Sequence, residues 1–482
     1  MRVIFIILSL FFIPVSAWGT TAGSCSYDDV LTAYGDTSAE GTLTIPECDG
    51  SPTAEATWSS TLTVSKSINI IGQGSADADS TRTIINSGVN PVFLITASDV
   101  RISGIRLKLT GSARGIKTDT ADITGLRVDN NYISGGGMCF EANAGNYTWG
   151  VLDSNVFENC HAQEDGHVYV AGDNADAWAR DIEAGTGNAL FIENNTFIVD
   201  NDTNAPSGNL DAFVYIQEAA NVVVRYNLFD ASGWTVGTNY VTVNTNNHGN
   251  MQGYWNGGNQ TRGSPLFEFY NNESIAYRAY QFHGIRGGSV IIHDNTYEVT
   301  GSTAPEELYK IQDLEYAYTS WFSPSRTAWP SQDGTVNSFI WDELYTGPTP
   351  VAISNDNQTF SGTCATGCVP TRPQIVNSDY ITMDKDIFMH TPAATGGKSS
   401  YTGARKGGSQ SYPTGPGDTY PDTGDTEFSS SGANAYYPYT PYQCPHPLTG
   451  LSGSCDEDVA GFTGYNVVVE VPANAIQGVT IN

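Results

Sequence analysis

Val128-Asp-Asn-Asn131-Tyr-Ile133 decides the fold, because close relatives of this phrase return through the middle of the chain. It comes back as Leu152-Asp-Ser-Asn155-Val-Phe157, Ile192-Glu-Asn-Asn195-Thr-Phe197 and Val224-Arg-Tyr-Asn227-Leu-Phe229. It continues as Phe269-Tyr-Asn-Asn272-Glu-Ser274 and Ile292-His-Asp-Asn295-Thr-Tyr297. Successive asparagines stand 24, 40, 32, 45 and 23 residues apart. The short spacings set the unit, and the long ones read as the same unit carrying a loop. Such a period marks a solenoid whose unit cannot bury its apolar face alone and must stack on copies of itself.

The unit is strand-like. Around each asparagine the residues are β-branched or aromatic with two-residue alternation, as in Asn221-Val-Val-Val-Arg225 and Ser289-Val-Ile-Ile-His293. No stretch of the repeat carries a long apolar stripe of 3.6-residue period, which argues against a helical or leucine-rich solenoid. An all-β, single-stranded parallel β-helix of one-turn coils remains. Its interior would stack Val, Ile, Leu and Phe. The asparagines read as structural bend residues, tolerant of left-handed backbone and able to form an amide ladder from coil to coil.

The ends divide the chain into four expected parts. Residues 1–17, with Arg2, the apolar run Val3 to Ile13 and Pro14-Val-Ser-Ala17, read as a secretory signal peptide. Residues 18–56 form a cap, with a short helix expected at Tyr27-Asp-Asp-Val-Leu-Thr-Ala-Tyr34. Residues 57–355 are the β-helix, with coils beginning near Leu62. Residues 356–482 are a Tyr/Pro/Gly-rich strap, closed by a terminal strand at Tyr465-Asn-Val-Val-Val-Glu-Val-Pro472 whose unpaired edge offers self-association. No other apolar run approaches membrane length, so no membrane span is expected in the mature chain.

Eight cysteines in an exported chain fit four disulfides. Nearest neighbours make sensible pairs: Cys25 with Cys48, Cys139 with Cys160, Cys364 with Cys368, and Cys444 with Cys455. Composition is strongly acidic, with 51 Asp and Glu against 21 Lys and Arg and a formal charge of −30. Nucleic acid is excluded as a partner, since phosphate binding needs clustered cations. The acidity otherwise serves to keep the surface soluble.

Further stretches resemble a known group. Cys25-Ser-Tyr-Asp-Asp-Val30, Leu62-Thr-Val-Ser-Lys-Ser-Ile-Asn-Ile-Ile-Gly72, Val100-Arg-Ile-Ser-Gly104, Gly284-Ile-Arg-Gly-Gly288 and Tyr439-Thr-Pro-Tyr-Gln-Cys-Pro-His-Pro-Leu448 look like secreted bacterial right-handed parallel β-helix repeat proteins of the pectate-lyase-like superfamily. The resemblance spans nearly the whole mature chain and implies the right-handed fold. It implies no activity. The Arg-x-Pro-x-x-Arg motif of pectate lyases and the motif set of polygalacturonases are both lacking.

Candidate chemistry falls on the strands that open the coils. Alternation places Tyr215, Gln217, Thr242, Asn244, Gln281, His283, Lys310 and Gln312 outward. A polar and aromatic strip walled by loops suits an extracellular polysaccharide, with Tyr254 and Trp255 of a Gly/Asn-rich loop as stacking platforms. His283, Arg286 and Lys310 supply the base and cations that a polysaccharide lyase needs, a more apt chemistry here than glycoside hydrolysis. Asp200, Asp202, Asn204 and Asp211 occupy calcium-loop positions one, three, five and twelve, so Ca²⁺ is the candidate cofactor. Ala205 replaces the usual glycine at six. The competing reading is a non-catalytic surface fibre or adhesin, with the solenoid as a rigid rod.

Overall fold

Two-residue alternation in the sequence becomes alternation of burial. Ile68–Gly72 and Ile105–Leu109 bury every other residue, as strands with one face on a core must. The computed structural model describes residues 19–48, 54–74, 83–119, 122–143, 145–160, 166–172, 184–200, 212–218, 220–235, 242–247, 264, 266–312, 335, 338–350, 358–375, 383–384, 387–392, 439–452 and 455. Among them the strands form sheets of 12, 10 and 12 members, and every third strand pairs with the last of its kind. The pairings of named strands are parallel, except that Gly367–Arg372 runs antiparallel to both Leu344–Thr346 and Thr359–Thr363 where the third sheet closes. This is a parallel β-helix. The 12-stranded sheet holding Ile123–Asp129 is called sheet A, the one holding Tyr132–Gly135 sheet B, and the 10-stranded sheet holding Met138–Ala142 sheet C.

Side chains in register fill the interior as columns. On sheet A, Val128, Leu152, Ile192, Val224, Phe269, Ile292 and Ile340 follow one another and all are fully buried. On sheet B, Phe157, Phe197 and Phe229 do the same, with the last two stacked at 4.8 Å. Toward the later coils the filling becomes polar, with Ser274 and Tyr297 following Phe229.

The bend from sheet A to sheet B carries the ladder. Asn131 donates from its backbone N–H and its Nδ2 to Oδ1 of Asn155, at 3.0 and 3.1 Å. The same pair of bonds links Asn155 to Asn195, Asn195 to Asn227, Asn227 to Asn272 and Asn272 to Asn295. Each wide sequence spacing is therefore one coil with a loop. The bend's left-handed residue is not the asparagine, as expected, but its predecessor, with φ of 53° at Asn130, 57° at Ser154, 55° at Asn194 and 53° at Asn271. The asparagine turns inward because its amide must satisfy buried backbone groups on two coils. A seventh rung escaped the sequence pattern. Asn295 donates to Oε1 of Glu343 at 3.0 Å from N–H and 2.9 Å from Nδ2, so a carboxyl replaces the amide in Trp341-Asp-Glu343.

The N-terminal end is closed by the helix Tyr27–Asp36, capped by Ser26 and burying Val30 and Ala33. Tyr27 meets Trp58 edge-on at 5.4 Å. Four disulfides join Cys25–Cys48, Cys139–Cys160, Cys364–Cys368 and Cys444–Cys455, which fits an extracellular protein; among the described residues no helix is long and apolar enough to cross a membrane. Cys139–Cys160 spans neighbouring coils, with Cα atoms 5.4 Å apart. Residues 1–17, expected to form a signal peptide, and the strand expected at residues 465–472 lie outside the described residues.

A late segment, residues 439–452, runs along the outer face of sheet A. Tyr439 donates to Glu268 at 2.8 Å, and the His446 N–H donates to Glu193 at 2.8 Å. Arg225 is fully buried. It bonds Glu193 Oε2 through Nε and Nη2 at 2.8 and 2.6 Å. It also donates to the carbonyls of Tyr442 and Gln443 at 2.7 and 2.9 Å. At Gly185 a Cβ would stand 1.8 Å from the Thr440 carbonyl oxygen, so only glycine lets the segment lie this close.

Candidate functional site

Backbone register decides which side chains face outward on sheet C. Lys117, Glu141, Tyr169 and Tyr215, and beyond the backbone of Asn246 the residues Gly284, Lys310 and Gln374, occupy one column, flanked inward by Val168, Val214, Ile216 and Ile311, all buried. Residues 173–183, 201–211, 248–263 and 313–334, expected to supply the loops beside the strip, lie outside the described residues.

The column changes character along the solenoid. At its early end Glu141 pairs with Arg114 and, at 3.0 Å, with Lys117. Tyr169 and Tyr215 follow as a stacked pair, 5.7 Å between centroids and 11° between planes. Gln217 donates to the Tyr169 hydroxyl at 2.6 Å and fixes that ring. Stacking also covers Tyr215, which is 5% exposed. Gly284 leaves the column without a side chain. Lys310 stands beyond it, about 14 Å from Tyr215 at three strand spacings, with Nζ 5.2 Å from the centroid of Tyr280. Glu307, two coils past Thr242 in register, is buried and within electrostatic reach of Lys310. Burial lifts its carboxyl to about 7 against the lowering pull of that lysine. Arg286 is half-buried on the next outward position, in register with Gln312.

His283 is not on this strip. It pairs in register with Thr245 and Tyr309, in the interior column of Val168 and Val214, and is fully buried. Its Nδ1 meets Thr245 Oγ1 at 2.8 Å and its Nε2 meets the Tyr297 hydroxyl at 3.1 Å. Burial pushes the imidazole down to about 3, so it is neutral and out of reach of a substrate. Asn244 also turns inward, accepting from Ser274 at 2.7 Å, and Gln281 is buried. For Asn244 the physical reason is an irregularity between Thr242 and Thr245 in its own strand. Gln281 and His283 face inward by register alone, since they pair with Glu307 and Tyr309 while Gly284 pairs with the outward Lys310.

The interior network that holds His283 ends on Glu343. Tyr297 donates to Glu343 Oε2 at 2.5 Å, and Tyr309 donates to the same oxygen. Burial raises the Glu343 carboxyl to about 7, in spite of the hydrogen bonds from Tyr297, Tyr309 and Asn295 that favour the anion.

The candidate calcium loop is not assembled among the described residues. Asp200 exchanges two hydrogen bonds with Asn159, at 2.9 and 3.1 Å, while Asp202, Asn204 and Asp211 lie outside the described residues, as do Tyr254 and Trp255. No group of three or more His, Cys, Asp or Glu side chains suited to a metal occurs among the described residues. Sequence reasoning missed Tyr169, Glu141 and Glu307. Tyr169 was open to discovery, since His167-Val-Tyr-Val-Ala171 aligns with Phe213-Val-Tyr-Ile-Gln217 and puts the two tyrosines side by side.

Comparison with known proteins yields a distant likeness of shape. No family model matches the chain, and no curated protein matches it in sequence. Among solved structures it is similar to an alginate lyase from Paenibacillus sp. str. FPU-7, at 12% identity over 67% of this chain and 86% of that one, with a TM-score of 0.35. It is also similar to the Dettilon tailspike protein, at 10% identity over 56% of this chain and 50% of that one, with a TM-score of 0.27. At this distance neither neighbour speaks to activity.

Proposed function

We propose that this protein is an exported β-helix of the pectate-lyase-like group that binds an extracellular polysaccharide along the outer face of sheet C. The observation that carries the reading is the continuous outward column of Tyr169, Tyr215, Gly284 and Lys310. A regular column of strands about 4.8 Å apart suits a polymer laid along the solenoid axis. Half-buried Tyr169, backed by Tyr215, offers a hydrophobic face edged with a hydroxyl. The Gly284 position leaves room on the floor, and Lys310 with Arg286 supplies positive charge in a chain of formal charge −30.

Binding without strong turnover is the favoured activity. The imidazole that would have served as base is inside the core, and Glu307 is buried on the same inward side of its strand. A glycan-array screen of the intact protein, run beside an ultraviolet assay for unsaturated uronate ends, tests both parts. The expected result is binding that Tyr169→Ala weakens roughly tenfold, with little elimination product. Failure to bind any glycan would overturn the reading. Rapid product formation abolished in Lys310→Ala would replace binding with lyase chemistry.

A further inference from the structure

A separate cleft of about 470 Å³ opens where residues 441–444 pass over the bend between sheets A and B. That volume lies within the roughly 300–1,000 Å³ of small-molecule sites. Three successive bend residues line it, Tyr226, Asn271 and Asp294, and the overlying segment adds Tyr442 and Gln443. His293 forms part of the wall, held between Tyr270 at 4.7 Å and Trp341 at 4.3 Å with all three rings nearly parallel.

Tyr226 is the anomaly of the repeat. The bend position before each rung has positive φ, and its other occupants are Gly104, Asn130, Ser154, Asn194, Asn271, Asp294 and Asp342. These are the small or Asx residues that left-handed backbone favours. Tyr226 adopts φ of 56° with a bulky ring, a conformation disfavoured for such a side chain. Strain kept at one coil, when equivalent coils avoid it, points to use at that place. The ring is also held in position. Asn271 donates to its hydroxyl at 2.9 Å, and Tyr270 meets it edge-on at 6.3 Å.

We propose that this cleft binds a neutral pyranose unit. Tyr226 and Tyr442 present faces for the C–H side of a sugar ring. The amides of Asn271 and Gln443 and the carboxylate of Asp294 match adjacent hydroxyls, with the Asp294 side chain 47% exposed. A uronate is disfavoured, because Asp294 faces it and the nearby Arg225 guanidinium is already committed to Glu193 and two backbone carbonyls. A quaternary ammonium offers no hydrogen-bonding group to the amides of Asn271 and Gln443. This site lies on a different face from the sheet C strip, and it stands whether or not that strip binds glycan.

Calorimetric titration with the methyl glycosides of glucose, galactose and mannose, with glucuronic acid and choline as charged controls, tests it. At least one neutral glycoside should bind, and the controls should not. Tyr226→Asn, which suits positive φ, should raise the thermal midpoint while weakening binding by about tenfold or more. Asp294→Asn should weaken binding with the midpoint little changed. Absence of binding by all three glycosides, preference for glucuronic acid or choline, or full affinity in Tyr226→Asn would each overturn the proposal.

Discussion

Glu343→Gln should convert a pH-sensitive end of the ladder into an insensitive one. In the folded protein the Glu343 carboxyl is lifted from 4.5 to about 7, chiefly by burial. A folded-state value above the unfolded one means that the folded state holds the proton more tightly. The stabilisation is therefore complete below about pH 4.5 and is lost as pH rises through about 7. The difference of about 2.5 units corresponds to about 3 kcal/mol at 1.36 kcal/mol per unit. An amide at this position keeps an oxygen for the two donors of Asn295. Its NH₂ can donate to the hydroxyls of Tyr297 and Tyr309, and Tyr297 can then donate to His283 Nε2, 3.1 Å away. The variant should be near wild type at pH 4.5 and more stable by about 3 kcal/mol at pH 8. Denaturant unfolding of both proteins across that range, with disulfides intact, measures the difference. Asp153 and Glu307 are also raised to about 7 and tilt both curves alike, so only the gap between the curves reports on Glu343. Parallel curves from pH 4.5 to 8 would refute the assignment of a raised carboxyl here.

Two further outcomes follow from the packing. Asn195→Ala removes the acceptor of the Asn155 backbone N–H and the donor to the Leu152 and Glu193 carbonyls; a loss of about 3 kcal/mol in chemical denaturation is expected, and a loss under about 1 kcal/mol would mean that the ladder contributes little. Arg225→Met strands the Glu193 carboxylate, which is fully buried, and removes two anchors of the overlying segment; a destabilisation of about 3–5 kcal/mol is expected, with limited proteolysis cutting within residues 439–452 first. Protection of that segment equal to wild type would show that Arg225 does not hold it.

The chain's own pattern determined the solenoid. Apolar alternation and a recurrent asparagine are local features, and each coil meets only its neighbours, so the local rule propagates along the axis. Even the 40- and 45-residue gaps were legible as coils with loops, because the two ends of each still present matching rungs. The seventh rung was hidden, since Glu343 accepts the same hydrogen bonds as an amide but breaks the spelling. The site needed the tertiary structure for two reasons. Facing on a strand depends on a single-residue register: the irregularity between Thr242 and Thr245 turned Asn244 inside, and His283 pairs with the interior Tyr309, one residue away from the outward pair Gly284 and Lys310. The aromatic cleft depends on contacts that no short-range rule encodes: Arg225 meets Tyr442 across 217 residues of chain. Only closure of that long loop brings Tyr442 and Gln443 over the bend where Tyr226 stands.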